Sequence, residues 1–219
     1  MQIRDGSGNL LGVSGNPLLI AEDEGETFLG AYQAELVATL SATAQTANTG
    51  GFFWGFNPPT SGKLIRIERM GMQIGMTTYV LAGGLPTAPR LTFTKFTYTG
   101  TPSGAMVATN GAASIQGKFD TNYPSPVFDW RSAITGATCV YLHSMFSTIA
   151  PAQVVSGTVV APASYAGVIT DNEYQPRESE YEHVIRPGEG IVFFQPEAGT
   201  TGDTRKAVAR IFWEEVTVP

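Results

Sequence analysis

The chain has 219 residues, 42% of them hydrophobic and 15% charged, with 25 glycines, 14 prolines, one cysteine and a net charge of −6. That length supplies a full core without staples, and so many turn-forming residues exclude a fold of long helices, leaving an all-β chain whose surface is made largely of Thr, Ser, Gly, Asn and Gln. The 13 scattered basic residues exclude a nucleic-acid backbone as partner, the lone Cys139 excludes an intrachain disulfide, and no apolar stretch approaches the roughly 20 residues of a membrane helix.

Residues 1–24 set themselves apart as an N-terminal arm. Turn chemistry (Asp5-Gly6-Ser7-Gly8-Asn9, Ser14-Gly15-Asn16-Pro17) alternates with short apolar pieces, and the segment ends in Glu22-Asp23-Glu24. Pieces that short cannot bury themselves. They either fold back as a strand on their own domain or complete their burial on a neighbouring subunit, and the second reading makes Ile3, Leu10, Leu11, Val13, Pro17, Leu18, Leu19 and Ile20 interface residues. The start, Met1-Gln2-Ile3-Arg4-Asp5, has no basic leader, so synthesis in the cytosol is expected.

Residues 25–219 are expected to form one β-sandwich domain. Phe28, Tyr32, Leu36 and Leu40 recur at helical spacing, but Ala34, Leu36, Ala38 and Leu40 alternate, and Thr39, Ser41, Thr43 and Thr46 favour a strand. Phe52-Phe53-Trp54-Gly55-Phe56 is an aromatic strand stopped by Pro58-Pro59, its rings expected in the core. In Lys63–Met70, Ile65 and Ile67 share one face while Arg66 and Glu68 share the other. Further strands are predicted over Met72–Tyr79, Arg90–Tyr98 and Cys139–Thr148, with long loops over 99–117 and 120–126. Residues 150–168 carry no clear pattern, and an acidic stretch, Asp171–Glu182, leads to His183-Val184-Ile185. The turn Arg186-Pro187-Gly188-Glu189-Gly190 then opens the apolar run Ile191–Phe194. A strand over Ala207–Val216 is predicted to pair with that run as a closing hairpin across Gly199–Asp203, with Trp213 in the core. Eight to ten strands in an antiparallel sandwich or jelly roll are the sum.

Reactive chemistry is sparse. Only His143 and His183 are available for a metal, and although Glu180 and Glu182 lie near His183, neighbours in a strand face opposite ways, so no metal site is assigned. Asp171-Asn172-Glu173 lacks the glycine-spaced loop of a calcium site. No Gly-x-Ser-x-Gly elbow or phosphate-cradling motif occurs, Cys139 reads as a small buried hydrophobe, and no catalytic residue or cofactor is assigned. A pair of carboxylates meeting from distant strands stays open.

Arg186-Pro187-Gly188-Glu189-Gly190-Ile191-Val192 with Trp213-Glu214-Glu215, the opening Asp5–Leu11, and Asn57–Ile67 resemble strand-and-turn steps of tailed-bacteriophage virion proteins of the head decoration or cement type. Arg90–Thr94 and Trp130–Gly136 are similar more loosely. The resemblance implies a jelly-roll domain on the outer capsid surface of a virion, a homotrimer that holds major capsid proteins together without enzymatic activity. Two alternatives stand beside it. One is a receptor- or glycan-binding fibre or collar module whose loop Tyr and Trp side chains stack on sugars. The other is a cupin-like enzyme, whose turns the Arg-Pro-Gly-Glu-Gly segment also resembles, although the His-x-His pair of such enzymes is missing.

Overall fold

Alternation decides the first strand. In the computed structural model, which describes residues 27–40, 43–45, 50–78, 89–109, 113–149, 170–174, 183–199 and 204–217, β1 spans Phe28–Thr39. Tyr32, Ala34, Leu36 and Ala38 are buried and the residues between them half-buried, so the period of two overrides the spacing of four, and Phe28 stays at the surface.

Ten further strands follow: β2 Phe53–Phe56, β3 Lys63–Thr78, β4 Arg90–Ser103, β5 Ile115–Lys118, β6 Asp129–Arg131, β7 Thr135–Ile149, β8 Thr170–Tyr174, β9 His183–Ile185, β10 Glu189–Phe194 and β11 Thr204–Thr217. They form two antiparallel sheets. The first runs β5-β1-β11-β3-β8, with β9 also on β3; β9 pairs with Ile65–Ile67 and β8 with Met70–Ile74, so the two lie end to end along one edge. The second runs β6-β2-β10-β4-β7.

A single extra residue shapes β3. Trp213 pairs with Ile67 and Phe212 with Arg69, which leaves Glu68 as a bulge. The bulge reverses the phase of alternation, so that Ile65 and Ile67 before it and Met70, Met72 and Ile74 after it all face inward. The sequence reading of 63–70 and 72–79 as separate strands is corrected here: they are one bent strand.

The core lies between the sheets. Tyr32, Leu36, Ile65, Ile67, Met70, Ile211 and Trp213 of the first pack against Phe53, Leu91, Phe93, Ile191 and Phe193 of the second, with Phe128 and Trp130 closing one end. Trp213 stacks on Tyr32 at 5.8 Å between ring centroids and takes Phe128 edge-on at 5.5 Å. A second apolar cluster sits on the other face of β2, β10 and β4: Trp54, Phe56, Phe96, Tyr98, Val192 and Phe194 with Cys139 of β7, and Ile134, Ala137 and Tyr141 packed against it. The centre of the second sheet, β2, β10 and the first half of β4, is thus buried on both faces, whereas β7 leaves Val140 and Leu142 exposed, and Cys139 is the buried hydrophobe expected.

The expected closing hairpin does not form. β10 pairs with β2 and β4, whereas β11 pairs with β1 and β3 in the opposite sheet. The physical reason is in the residues: Ile191–Phe194 is apolar at every position and needs a sheet covered twice, while β11 alternates and suits a sheet with one solvated face. The pairs instead nest, β1 with β11, β2 with β10, β3 with β8 and β9, β4 with β7, as a long hairpin folded over on itself. The predicted loop 99–117 also gives way in part, because β4 continues to Ser103 and β5 begins at Ile115. The acidic stretch begins as β8. The arm and residues 150–168 lie outside the described residues.

Candidate functional site

Burying an unpaired polar group is costly, so the buried polar side chains of this domain mark what they hold together. Glu215, fully buried on the inner face of β11, accepts from the backbone N–H of Val127 (2.7 Å) and Phe128 (3.1 Å) and from Lys63 Nζ (3.1 Å). It ties the loop before β6 to the first sheet. Lys95, reaching inward from β4, pairs with Glu189 at 2.7 Å and donates to Val184 O at 2.8 Å, so it bridges the two sheets. Gln116 Nε2 donates to Phe128 O at 2.9 Å.

Asn57 joins the two turns that carried most of the resemblance. Its Nδ2 donates to Lys63 O (2.9 Å) and Ile185 O (3.0 Å), its Oδ1 accepts from Ser61 Oγ (2.7 Å), and its carbonyl accepts from Gly188 N (2.9 Å) and Tyr98 OH (2.9 Å). The facing turn has Pro187 and Gly188 at its centre, with Gly188 at φ +82°, a left-handed conformation that favours glycine. Glu189 Oε2 caps that turn by accepting from Arg186 N at 2.7 Å. These two motifs are one interlocked structural joint.

Burial moves several titrations. Tyr32 is pushed up to about 12, by burial first and then by the Glu215 carboxylate and Tyr123. Tyr98 likewise rises to about 12, through burial and then Asp129 and Cys139, with Arg131 acting the other way. Burial raises the Cys139 thiol to about 11, away from the thiolate character that a nucleophile needs. Asp129 is raised by burial, partly offset by Arg131, whose Nη2 lies 2.6 Å from its Oδ2.

The surface offers a different kind of feature. On the solvated face of the first sheet, Arg69, Gly71 and Gln73 of β3 lie beside Val208, Arg210 and Phe212 of β11 along a groove of about 140 Å³. It shares Arg69 and Phe212 with a shallower hollow of about 450 Å³ lined by Ala31, Glu68, Phe119 and Glu214. Phe119 is 56% exposed. Its ring stacks on Phe212 (5.8 Å, interplanar 22°), and the Arg69 guanidinium lies 4.0 Å from the centre of the Phe212 ring. Arg210 pairs with Glu35 of β1 at 3.0 Å. The short Ala31 side chain between β5 and β11 opens the floor over which Phe119 reaches, and the N–H of Phe119 is held by Ala31 O at 3.1 Å.

The chain matches no protein-family model and no curated protein. The site reading therefore rests on this geometry. Ile3, Leu10, Leu11, Val13, Pro17, Leu18, Leu19 and Ile20 lie outside the described residues, as do Glu180 and Glu182. His143 is exposed on β7 and His183 half-buried on β9 in the other sheet. Among the described residues no three His, Cys, Asp or Glu side chains gather as metal ligands. All three tryptophans, Trp54, Trp130 and Trp213, are in the cores, as expected for Trp54 and Trp213, so none stacks on a sugar from a loop as the glycan-binding alternative would have it. Sequence reasoning missed the Phe119–Phe212–Arg69 row. The signal was legible for Phe212, an aromatic in the solvent-facing phase of the alternating strand β11, but not for Phe119, which follows β5, two strands away across the sheet.

Proposed function

We propose that this chain is a non-enzymatic structural protein of a virion, which binds the outer surface of the capsid as a homotrimer and stabilises the shell of major capsid proteins. The nested pairing of the strands in a two-sheet antiparallel sandwich supports reading the domain as a jelly roll, a domain type that capsid proteins use. The buried carboxylate, amide and ammonium groups of Glu215, Asn57, Gln116 and Lys95 are bonded to main-chain groups of the domain itself, which suits a rigid body that works through its surface.

The observation that supports the reading is the fixed start of β1, to which residues 1–26 are joined in sequence. Thr27 donates its N–H to Thr217 Oγ1 and accepts from Thr217 N, both at 3.0 Å, at the end of the β1–β11 pair. Residues 1–26 leave from that fixed point, and a segment of that length spans about 85 Å when extended. Its apolar pieces, Leu10-Leu11 and Leu18-Leu19-Ile20 among them, then add to neighbouring subunits. A protein that binds only the assembled shell raises shell stability by mass action.

Light scattering of the full chain and of a chain lacking residues 2–20, each checked for an unchanged thermal midpoint, tests this. A trimer that falls to monomer on truncation, together with loss of co-sedimentation with heads of the encoding virus, is expected. A truncated protein that still decorates those heads would sink the proposal.

A further inference from the structure

We propose that the solvated face of the first sheet is a binding site for a neutral carbohydrate, with Phe119 as the stacking platform and Arg69, Arg210 and Gln73 as the partners of sugar hydroxyls. Three observations converge. Phe119 keeps more than half of its surface in water although it is a large apolar ring, and its stack on Phe212 and its backbone bond to Ala31 fix it as a flat ledge beside the hollow. The groove running on from that ledge is lined by planar polar groups, the guanidinium and amide of Arg69, Arg210 and Gln73, which lie beside carboxylates of Glu68 and Glu214.

Charge chooses between ligands. Two guanidiniums along the groove are offset by three carboxylates, those of Glu68 and Glu214 and that of Glu35, which pairs with Arg210. A balanced set of fixed donors and acceptors suits a molecule whose own groups both donate and accept, which is what hydroxyls do, and does not favour a phosphate or sulfate chain. A pyranose adds an apolar C–H face that matches an exposed aromatic ring. The 450 Å³ hollow is of the size of small-ligand sites. A peptide would want contiguous apolar pockets, and here the accessible apolar side chains are Phe119, Phe212 and Val208, since Met72 and Trp213 of the lining are buried at its floor.

Native affinity electrophoresis of the full chain tests this, in gels carrying a β-glucan, a galactomannan or a dextran, with heparin as the anionic control. Retardation by at least one neutral polysaccharide and not by heparin is expected. Phe119→Ala, an exposed position whose thermal midpoint should be unchanged, weakens the affinity about tenfold, while Phe119→Trp retains it. No retardation by any neutral polysaccharide, retardation by heparin in preference, or an undiminished effect in Phe119→Ala overturns the proposal. So does loss of capsid co-sedimentation in Phe119→Ala without any glycan retardation, which would assign the face to a protein.

Discussion

The two central strands β10 and β11 sit at equivalent positions in opposite sheets, yet they are written in different codes. β11 alternates: Ala207, Ala209, Ile211 and Trp213 turn inward, and Val208, Arg210, Phe212 and Glu214 turn toward solvent. β10 does not alternate, because Ile191 and Phe193 fill the inter-sheet core while Val192 and Phe194 fill the outer cluster. The difference shows what a sandwich does with a sheet's far side. One sheet offers it to water and to ligands, whereas the other folds it into a second dry layer, giving a molecule with one working face and one structural back.

The sharpest way to break that comparison is to place the same charge on both far sides. Val192→Asp puts an unpaired carboxylate into the outer cluster and is expected to cost about 3–5 kcal/mol or to prevent folding. Val208→Asp, at the matching position of β11, should stay within about 0.5 kcal/mol. Equal urea midpoints for the two variants would show that the back is not dry. Next in size, Trp213→Ala removes a ring stacked on Tyr32 and edge-on to Phe128, and should lower stability by ~3–5 kcal/mol; an unchanged midpoint would take Trp213 out of the core.

The mildest test uses pH, because each layer holds one shifted tyrosine, Tyr32 in the inner and Tyr98 in the outer. Both have folded values near 12, above the ordinary value of 10. The folded state therefore favours the neutral phenols, so the stability they contribute is complete below pH 10 and is lost as pH rises through 12. Burial of the Cys139 thiol acts in the same direction. A thermal midpoint that is flat to pH 9, begins to fall as the Cys139 contribution is lost and falls further above pH 10, with two of the eight tyrosines ionising only along with that later fall, is the expected result. Full ionisation of all eight near pH 10 without unfolding would contradict both burials.

Much of this was legible in the sequence, for reasons that differ by element. Alternation in β1, and in β3 up to Ile67, carried the strand assignments because one face of that sheet is solvated and the residues record it. The aromatic run Phe53–Phe56 read as core for its composition alone. The partner of β10 was not legible: continuous apolarity says that a strand is covered twice, and says nothing of which strands lie beside it. Glu68 was visible only as a polar residue, since a bulge is a property of the pairing. β5 and β6, of four and three residues, are too short to show a period. For the groove, the exposed aromatic was readable and its neighbours were not, because Phe119, Phe212 and Arg69 come together only through strand order.

The pairing of β1 with β11 has a consequence in time. Tyr32 and Trp213 share a register, as do Leu36 and Ala209, so β1, which pairs with the short β5 over Tyr32–Glu35 alone, gains its long partner only when β11 has been made. Until that strand emerges from the ribosome, one edge of β1 stays unpaired and the sheet that holds Leu36 is incomplete, and closing so long a span is slow even afterwards. The nascent chain is therefore exposed to aggregation until β11 has emerged, and a holding chaperone or a lowered growth temperature should raise its yield more than any change in the surface of the finished fold.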